Sequence, residues 1–198
     1  MITTGVLPRA WRGMALVIVL LSGFGLRAHA GERGSIPTFE LKDIDGKTFK
    51  LSDQLGRGPI LIDFWATWCK PCLRELPHLE ALRKKYQSQQ LQVVAISVDE
   101  SRTQSNVKSY VKTRGYGFRV LLDPNQEVFR KLGGRAMPHQ VIVAPDGSRI
   151  AVHTGYREGD ERQLERQITE ALAALGRPAG AQEARPAGPD TAQAGEPK

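Results

Sequence analysis

The chain of 198 residues carries two cysteines, Cys69 and Cys72, separated by Lys70 and Pro71. Two thiols at this offset could close an inert local bridge, supply part of a metal site, or cycle between dithiol and disulfide. A bridge closing so short a loop removes little entropy from the unfolded chain, so it is a poor staple. Zinc needs four ligands, and no second cysteine pair is present; the spacing of His78 and His139 does not supply the remainder. A Cu(I) module holding the metal between two soft thiolates is an alternative of a different class, although no Met or His cluster supports it. Exchange of electrons with other thiols is the chemistry that the spacing suits best.

The elements that must position the pair are legible on either side. Ile60 to Trp65 (ILIDFW) is nearly continuously apolar, as expected of a strand covered on both faces. From Pro71 to Gln87 the apolar positions Leu73, Leu76, Leu79, Leu82 and Tyr86 fall at helical spacing. Cys69 then sits just before a first helical turn, where unpaired N–H groups and the helix dipole favour an anion. Its thiol pKa should drop below the free value of about 8.5, making it the nucleophile, with Cys72 the resolving thiol. Pro71 suits a first turn, where its missing N–H costs nothing.

The remaining pattern alternates strand and helix. Thr38 to Leu51 reads as a hairpin around Asp45-Gly46, and Leu91 to Val98 as a second buried strand. Thr103 to Thr113 reads as a helix stopped by Gly115. Arg119 to Leu122 reads as a short strand, and Pro124 to Leu132 as a short helix with Pro124 at its start. Gln140 to Val143 and Ser148 to Val152 flank Pro145-Asp146-Gly147 as a closing hairpin, and Asp160 to Leu175 is an amphipathic helix with Asp160 as its N-cap. Asp99 and Glu100 read as a solvated loop, His139 as a polar loop residue, and His153 has no partner in view. The class is α/β, a mixed sheet flanked by helices.

The string Phe64-Trp65-Ala66-Thr67-Trp68-Cys69-Lys70-Pro71-Cys72 resembles the active-site signature of the TlpA/ResA/CcmG-like family of periplasmic thiol-disulfide oxidoreductases. Asp45-Gly46-Lys47, Leu51-Ser52-Asp53, Met137-Pro138 and Pro145-Asp146-Gly147 match that family in order. The resemblance spans residues 36–175 and implies a thioredoxin fold with an N-terminal β-hairpin and a central insertion. It implies that Pro138 is the cis-proline facing the cysteines, with Met137, Trp68, Lys70 and Pro71 completing a substrate groove. Asp63 departs from the Asn of many TlpA-like relatives and aligns with the buried carboxylate of thioredoxin that assists Cys72; burial in an apolar strand should raise its pKa. Glu75 matches a glutamate beneath the site, although in a first turn it would also simply favour the helix dipole. Trp65, with Trp68, matches aromatics that cover the cysteines, and Pro77 a helix-kinking proline. His139-Gln140 departs from the two threonines that often follow the family's cis-proline. A peroxiredoxin, which shares the fold outline, needs Thr or Ser three residues before its reactive cysteine; that position is Ala66.

The family also implies a setting. Arg9 and Arg12, the 13-residue apolar run Met14 to Leu26 and Ala28-His29-Ala30 read as a signal peptide over residues 1–30. The run is short for a ~30 Å hydrocarbon core, though an uncleaved anchor facing the periplasm is the alternative. Cleavage removes Arg9, Arg12 and Arg27 and no acidic residue, so the net charge of +7 falls to +4. Lys and Arg are interspersed with Asp and Glu, which gives no nucleic-acid footprint. Residues 176–198 contain no large apolar residue and read as a disordered tail. The expected protein is a monomeric periplasmic reductase with no cofactor beyond the Cys69–Cys72 disulfide. Its partners would be a substrate protein with a disulfide or cysteine pair and a membrane-embedded donor of thiol electrons. Haem-attachment or copper-site cysteines are the substrate class implied, with oxidant or isomerase as the alternative direction.

Overall fold

The computed structural model describes residues 34–175, so the expected signal peptide and tail lie outside the described residues. Seven strands form one sheet: β1 (Glu40–Asp43), β2 (Thr48–Lys50), β3 (Ile60–Trp65), β4 (Gln92–Ser97), β5 (Arg119–Leu122), β6 (His139–Val143) and β7 (Arg149–Thr154). Their order is β2-β1-β5-β4-β3-β6-β7. The centre, β3-β4-β5, is parallel, and both flanks pair antiparallel. All six residues of β3 are buried, because it lies between β4 and β6 with side chains packed on both faces.

Among the described residues four α-helices accompany the sheet: α1 (Lys70–Tyr86), α2 (Gln104–Arg114), α3 (Glu127–Lys131) and α4 (Asp160–Leu175). Strand alternation assigns them to faces. Phe64 and its partner His139 pack on Phe129 of α3. The adjacent positions point the other way: Trp65 meets Tyr110 of α2, and Gln140 bonds to Glu75 of α1. Tyr86 of α1 donates to Glu165 of α4 at 2.7 Å, which places α4 beside α1.

The N-terminal hairpin turns at Gly46, whose φ of +81° suits glycine. Asp43 Oδ1 accepts from the N–H groups of Asp45 and Lys47 at 3.0 and 2.9 Å and holds that turn. Helix α2 ends at Gly115 in the left-handed region, as its sequence implies. Two helix starts differ from expectation. Helix α3 begins at Glu127 rather than near Pro124, because the buried Asp123 carboxylate accepts from the N–H groups of Glu127 and Phe129, both at 2.9 Å. Asp160 is the first residue of α4 rather than its N-cap, and its carboxylate accepts from the Arg157 N–H at 2.8 Å.

Candidate active site

Strand β3 ends at Trp65, and only four residues separate it from the start of α1 at Lys70. Cys69 occupies the N-cap of α1, and its Sγ accepts from the Cys72 N–H at 3.4 Å. The two sulfurs are joined as a disulfide, with Cα atoms 5.3 Å apart. Cys69 is 6 % exposed and Cys72 fully buried, so only Cys69 can be approached from outside. Pro71 stands at the second helical position, and α1 continues unbroken through Pro77. Trp68 is 63 % exposed and Lys70 is exposed beside it, whereas Trp65 is wholly buried. The two tryptophans therefore part company: one is core, the other presents an apolar face to solvent.

The short β3–α1 connection is held from β4. Asp99 is buried, and its carboxylate accepts from the Thr67 N–H at 2.9 Å, from the Thr67 hydroxyl, and from the Ser97 hydroxyl at 2.8 Å. The reading of Asp99 as a solvated loop residue is corrected here. A carboxylate at the end of a buried strand needs donors, and the turn that carries Cys69 supplies them.

Two buried acids lie near the start of α1: Glu75, one turn beyond Cys72, and Asp63 on β3, which interacts with Glu75. Asp63 is fully buried on β3, and neither carboxylate oxygen has a hydrogen-bond partner. Glu75 is 4 % exposed; its Oε1 accepts from Gln140 Nε2 at 2.7 Å, and its Oε2 is unpartnered. Glu75 is thus not simply a residue favouring the helix dipole: its side chain turns inward. Gln140 is the register partner of Asp63, so the same amide residue adjoins both acids. Burial pushes the Asp63 carboxyl well above the usual range, and burial plus the neighbouring Asp63 charge does the same to Glu75. The two interact, so they titrate as a pair, and two ionised carboxylates in this setting are strongly disfavoured.

Across from the end of β3, the Met137–Pro138 peptide is cis. The Phe64–His139 pairing sets Pro138 next to the C-terminal end of β3, the end from which Cys69 departs. Pro138 is buried and Met137 half-buried against the core. His139 is not a polar loop residue. It is buried as the first residue of β6, with Nε2 on the Leu132 carbonyl at 3.2 Å and Nδ1 on Thr154 Oγ1 at 3.1 Å. The carbonyl can only accept, which makes Nε2 the donor and leaves the ring neutral when the Thr154 hydroxyl donates to Nδ1. Burial lowers the His139 pKa accordingly. His153 also has a partner, Gln167 Oε1 on α4.

Residues 33–150 match the AhpC/TSA family. The thiol-disulfide oxidoreductase ResA of Bacillus subtilis (strain 168) is 31 % identical over 150 residues, covering 72 % of this chain and 82 % of that protein. The chain belongs to the AhpC/TSA family, among its ResA-like thiol-disulfide oxidoreductases. A thiol:disulfide interchange protein of the DsbE type from Chlorobium tepidum superposes with a TM-score of 0.65 at 32 % identity, covering 70 % of this chain and 95 % of that one. The exposed lipoprotein thioredoxin of Streptococcus pneumoniae strain TIGR4 superposes with a TM-score of 0.57 at 28 % identity, covering 70 % of this chain and all of that one.

For a thiol-disulfide oxidoreductase the geometry divides the labour between the cysteines. When the pair is reduced, Cys69 at the helix start is the stabilised thiolate and the accessible sulfur. Cys72, fully buried, can reach only the Sγ of Cys69. Sequence reasoning missed Asp99 and the link from Gln140 to Glu75. The signal available for the first was a carboxylate directly after a buried strand, and for the second a Gln two residues beyond the cis-proline.

Proposed function

We propose that this oxidoreductase works outside the cytoplasm as a reductase of particular protein disulfides, of the kind found at haem-attachment or copper-site cysteine pairs. One observation carries the direction: the two buried, interacting acids near the start of α1, Asp63 and Glu75. Negative charge developing on the thiols faces groups that already resist ionisation, so the reduced pair gains little stabilisation and gives up its electrons readily. A strong oxidant needs the opposite, a reduced form held by favourable charges.

The reaction follows from the placement of the groups. The Cys69 thiolate attacks a substrate disulfide, forming a mixed disulfide and releasing one substrate thiolate. Cys72 then passes its proton to Asp63 and attacks Cys69 Sγ, which releases the second substrate thiolate and leaves the Cys69–Cys72 disulfide. Two electrons move from the pair to the substrate. A membrane-embedded thiol donor then returns the pair to its dithiol form. Trp68, Met137 and Pro138 supply an apolar docking surface beside Cys69, with Lys70 and Pro71 at its edge, which suits an extended polypeptide rather than a small thiol. Secretion is supported by the Arg-flanked apolar segment over residues 14–26 and by the likeness to an exposed lipoprotein thioredoxin.

The test is the reduction potential of the pair, combined with capture of mixed disulfides by a Cys72→Ser variant in periplasmic extracts. A value near the thioredoxin end, about −270 mV, supports a reductase, whereas one near about −120 mV refutes it. Capture of cytochrome or copper-site precursors supports the substrate class.

A further inference from the structure

The edge of the sheet from which Cys69 departs turns its acids inward and leaves its cations in solvent. Asp99 and Asp123 are buried there, each held by hydrogen bonds from N–H or hydroxyl donors. Glu100 is exposed but pairs with Arg102 at 2.9 Å. After β7, Arg157 and Glu158 are exposed neighbours of opposite sign. Asp160 and Glu161, at the start of α4, accept from the turn before them, through the N–H groups of Arg157 and Gly159 and the Tyr156 hydroxyl. Lys70, Arg74 and Arg135 have no such balance. All three are exposed, and among the described residues none of them pairs with an acid.

The places of these three cations frame the reactive sulfur. Lys70 is the first residue of α1, directly after Cys69, and Arg74 follows one turn later on the same side of the helix. Arg135 lies in the loop between α3 and β6, two residues ahead of Met137. That loop is fastened beside the end of β3. Its Gly134 N–H donates to the Phe129 carbonyl at 2.8 Å, the Pro138 carbonyl accepts from the Gly155 N–H at 2.8 Å, and Phe64 pairs with His139. Cys69 and the exposed Trp68 therefore have two free cations on the α1 side and one on the cis-proline side. In the free protein these like charges meet only water. An anionic partner laid across Trp68 satisfies them from both sides, and a cationic one is repelled from both. We propose that Lys70, Arg74 and Arg135 select what docks at Cys69: a polypeptide segment that carries Asp or Glu on both sides of its reactive cysteine. This selection rests on the docking surface proposed above and names the charge of its occupant. It holds for either direction of electron flow, because the rim acts on encounter and docking.

The test isolates the attack by Cys69. Reduced full-length Cys72→Ser protein is mixed with single-cysteine peptides of one length, flanked by Glu, Ser or Lys and activated as 2-pyridyl disulfides. The Cys69 thiolate attacks the peptide sulfur, the peptide–pyridyl bond breaks, and the released 2-thiopyridone is followed by its absorbance. At low salt the Glu-flanked peptide should react about tenfold faster than the Lys-flanked one, and the preference should collapse near 1 M NaCl, where screening reaches ~3 Å. Lys70→Glu and Arg135→Glu, each made in the Cys72→Ser protein, should each cut the preference by about threefold or more. Lys70→Glu also bears on the Cys69 thiolate, so only the ratio between peptides is read, in which the reactivity of the nucleophile cancels. Lys47→Glu makes the same change in net charge at the opposite edge of the sheet. Lys47 lines a groove there with Arg119, at the start of the parallel strand β5, and this variant should keep the full preference. Equal and fast reaction of all three peptides, a preference for Lys flanks, or a preference lost as fully in Lys47→Glu would each overturn the selection. If none of the peptides reacts faster than 2,2′-dipyridyl disulfide, the docking surface itself fails and the selection with it.

Discussion

Replacing Asp63 by Asn should make the oxidised protein more stable, and by an amount that depends on pH. In the unfolded chain the carboxyl titrates at its ordinary value of 3.8, whereas burial raises it to about 8 in the fold. Between these values the folded state binds a proton that the unfolded state has released. Stability is therefore fully present below pH 3.8 and is lost as the pH rises toward about 8. Each unit costs about 1.4 kcal/mol, so roughly three units up to pH 7 amount to about 4 kcal/mol, a large fraction of a typical domain's stability. The substituted asparagine resembles the protonated acid in size and stays neutral, so it avoids this loss. Urea unfolding of the oxidised wild type and Asp63→Asn from pH 4 to 9 measures it. The two should be nearly equal at pH 4, separate by about 1.4 kcal/mol per unit, and stop separating above about pH 8. Equal spacing at pH 4 and pH 7, or a variant less stable than the wild type at pH 7, would refute the argument that Asp63 is buried without a charge partner. The same variant should resolve mixed disulfides more slowly, since its amide cannot take the Cys72 proton.

In an Asp63→Asn/Glu75→Gln background, the opposite slope should appear on the acid side. His139 is held neutral by burial, with its pKa below the ordinary 6.5, so the unfolded chain takes up the proton first and stability falls as pH drops through 6.5. Adding His139→Asn should remove that slope in the same unfolding series. Asp99→Ala strips acceptors from Thr67 and Ser97 and should cost about 3 kcal/mol, since bonds to a buried charge are worth about 1.5–3 kcal/mol each without being additive. Calorimetry should then show a melting point lower by roughly 6–12 °C, and a loss under about 1 kcal/mol would contradict the tether. Cys69→Ser should abolish insulin reduction, and retained turnover would mean that the nucleophile is misassigned.

The order of elements was legible because the local signals agree with the tertiary outcome. Ile60 to Trp65 is apolar throughout apart from Asp63, and β3 is buried throughout. Asp45-Gly46 and Gly115 mark turns that do require a positive φ at the glycine. What the sequence concealed lies in side chains that reach across elements. Asp99 reads as a solvated loop residue, Asp123 carries no signal in the local pattern, and Glu75 by itself reads as a first-turn acid favouring the helix dipole. Each is buried, because donors from elsewhere in the chain converge on it: Thr67 and Ser97 on Asp99, the N–H groups of Glu127 and Phe129 on Asp123, and Gln140 on Glu75. The same holds for His139, whose partners Leu132 and Thr154 lie 7 and 15 residues away. Periodicity reports which face of an element is apolar, but not which polar groups meet once the faces are assembled.

Two opposed local fields explain why chemically identical thiols behave differently three residues apart. Cys69 caps α1, where the helix start presents unpaired N–H groups, and anionic sulfur is favoured there. Cys72 lies one turn deeper and is fully buried, with the acid Glu75 one further turn along α1, so negative charge on its sulfur is resisted by desolvation. On the proposed mechanism the first sulfur is the standing nucleophile, and the second becomes one only when a carboxylate takes its proton. If both sulfurs were thiolates at once, the pair would be stabilised in its reduced form and would lose its drive to reduce a substrate. On the proposed mechanism, holding the second proton until a mixed disulfide has formed would keep the pair reducing and also order the two steps. The two buried acids cost folding stability, and the same reluctance to carry charge in a dry interior would, on the proposed mechanism, suit Asp63 to accept a proton near neutral pH.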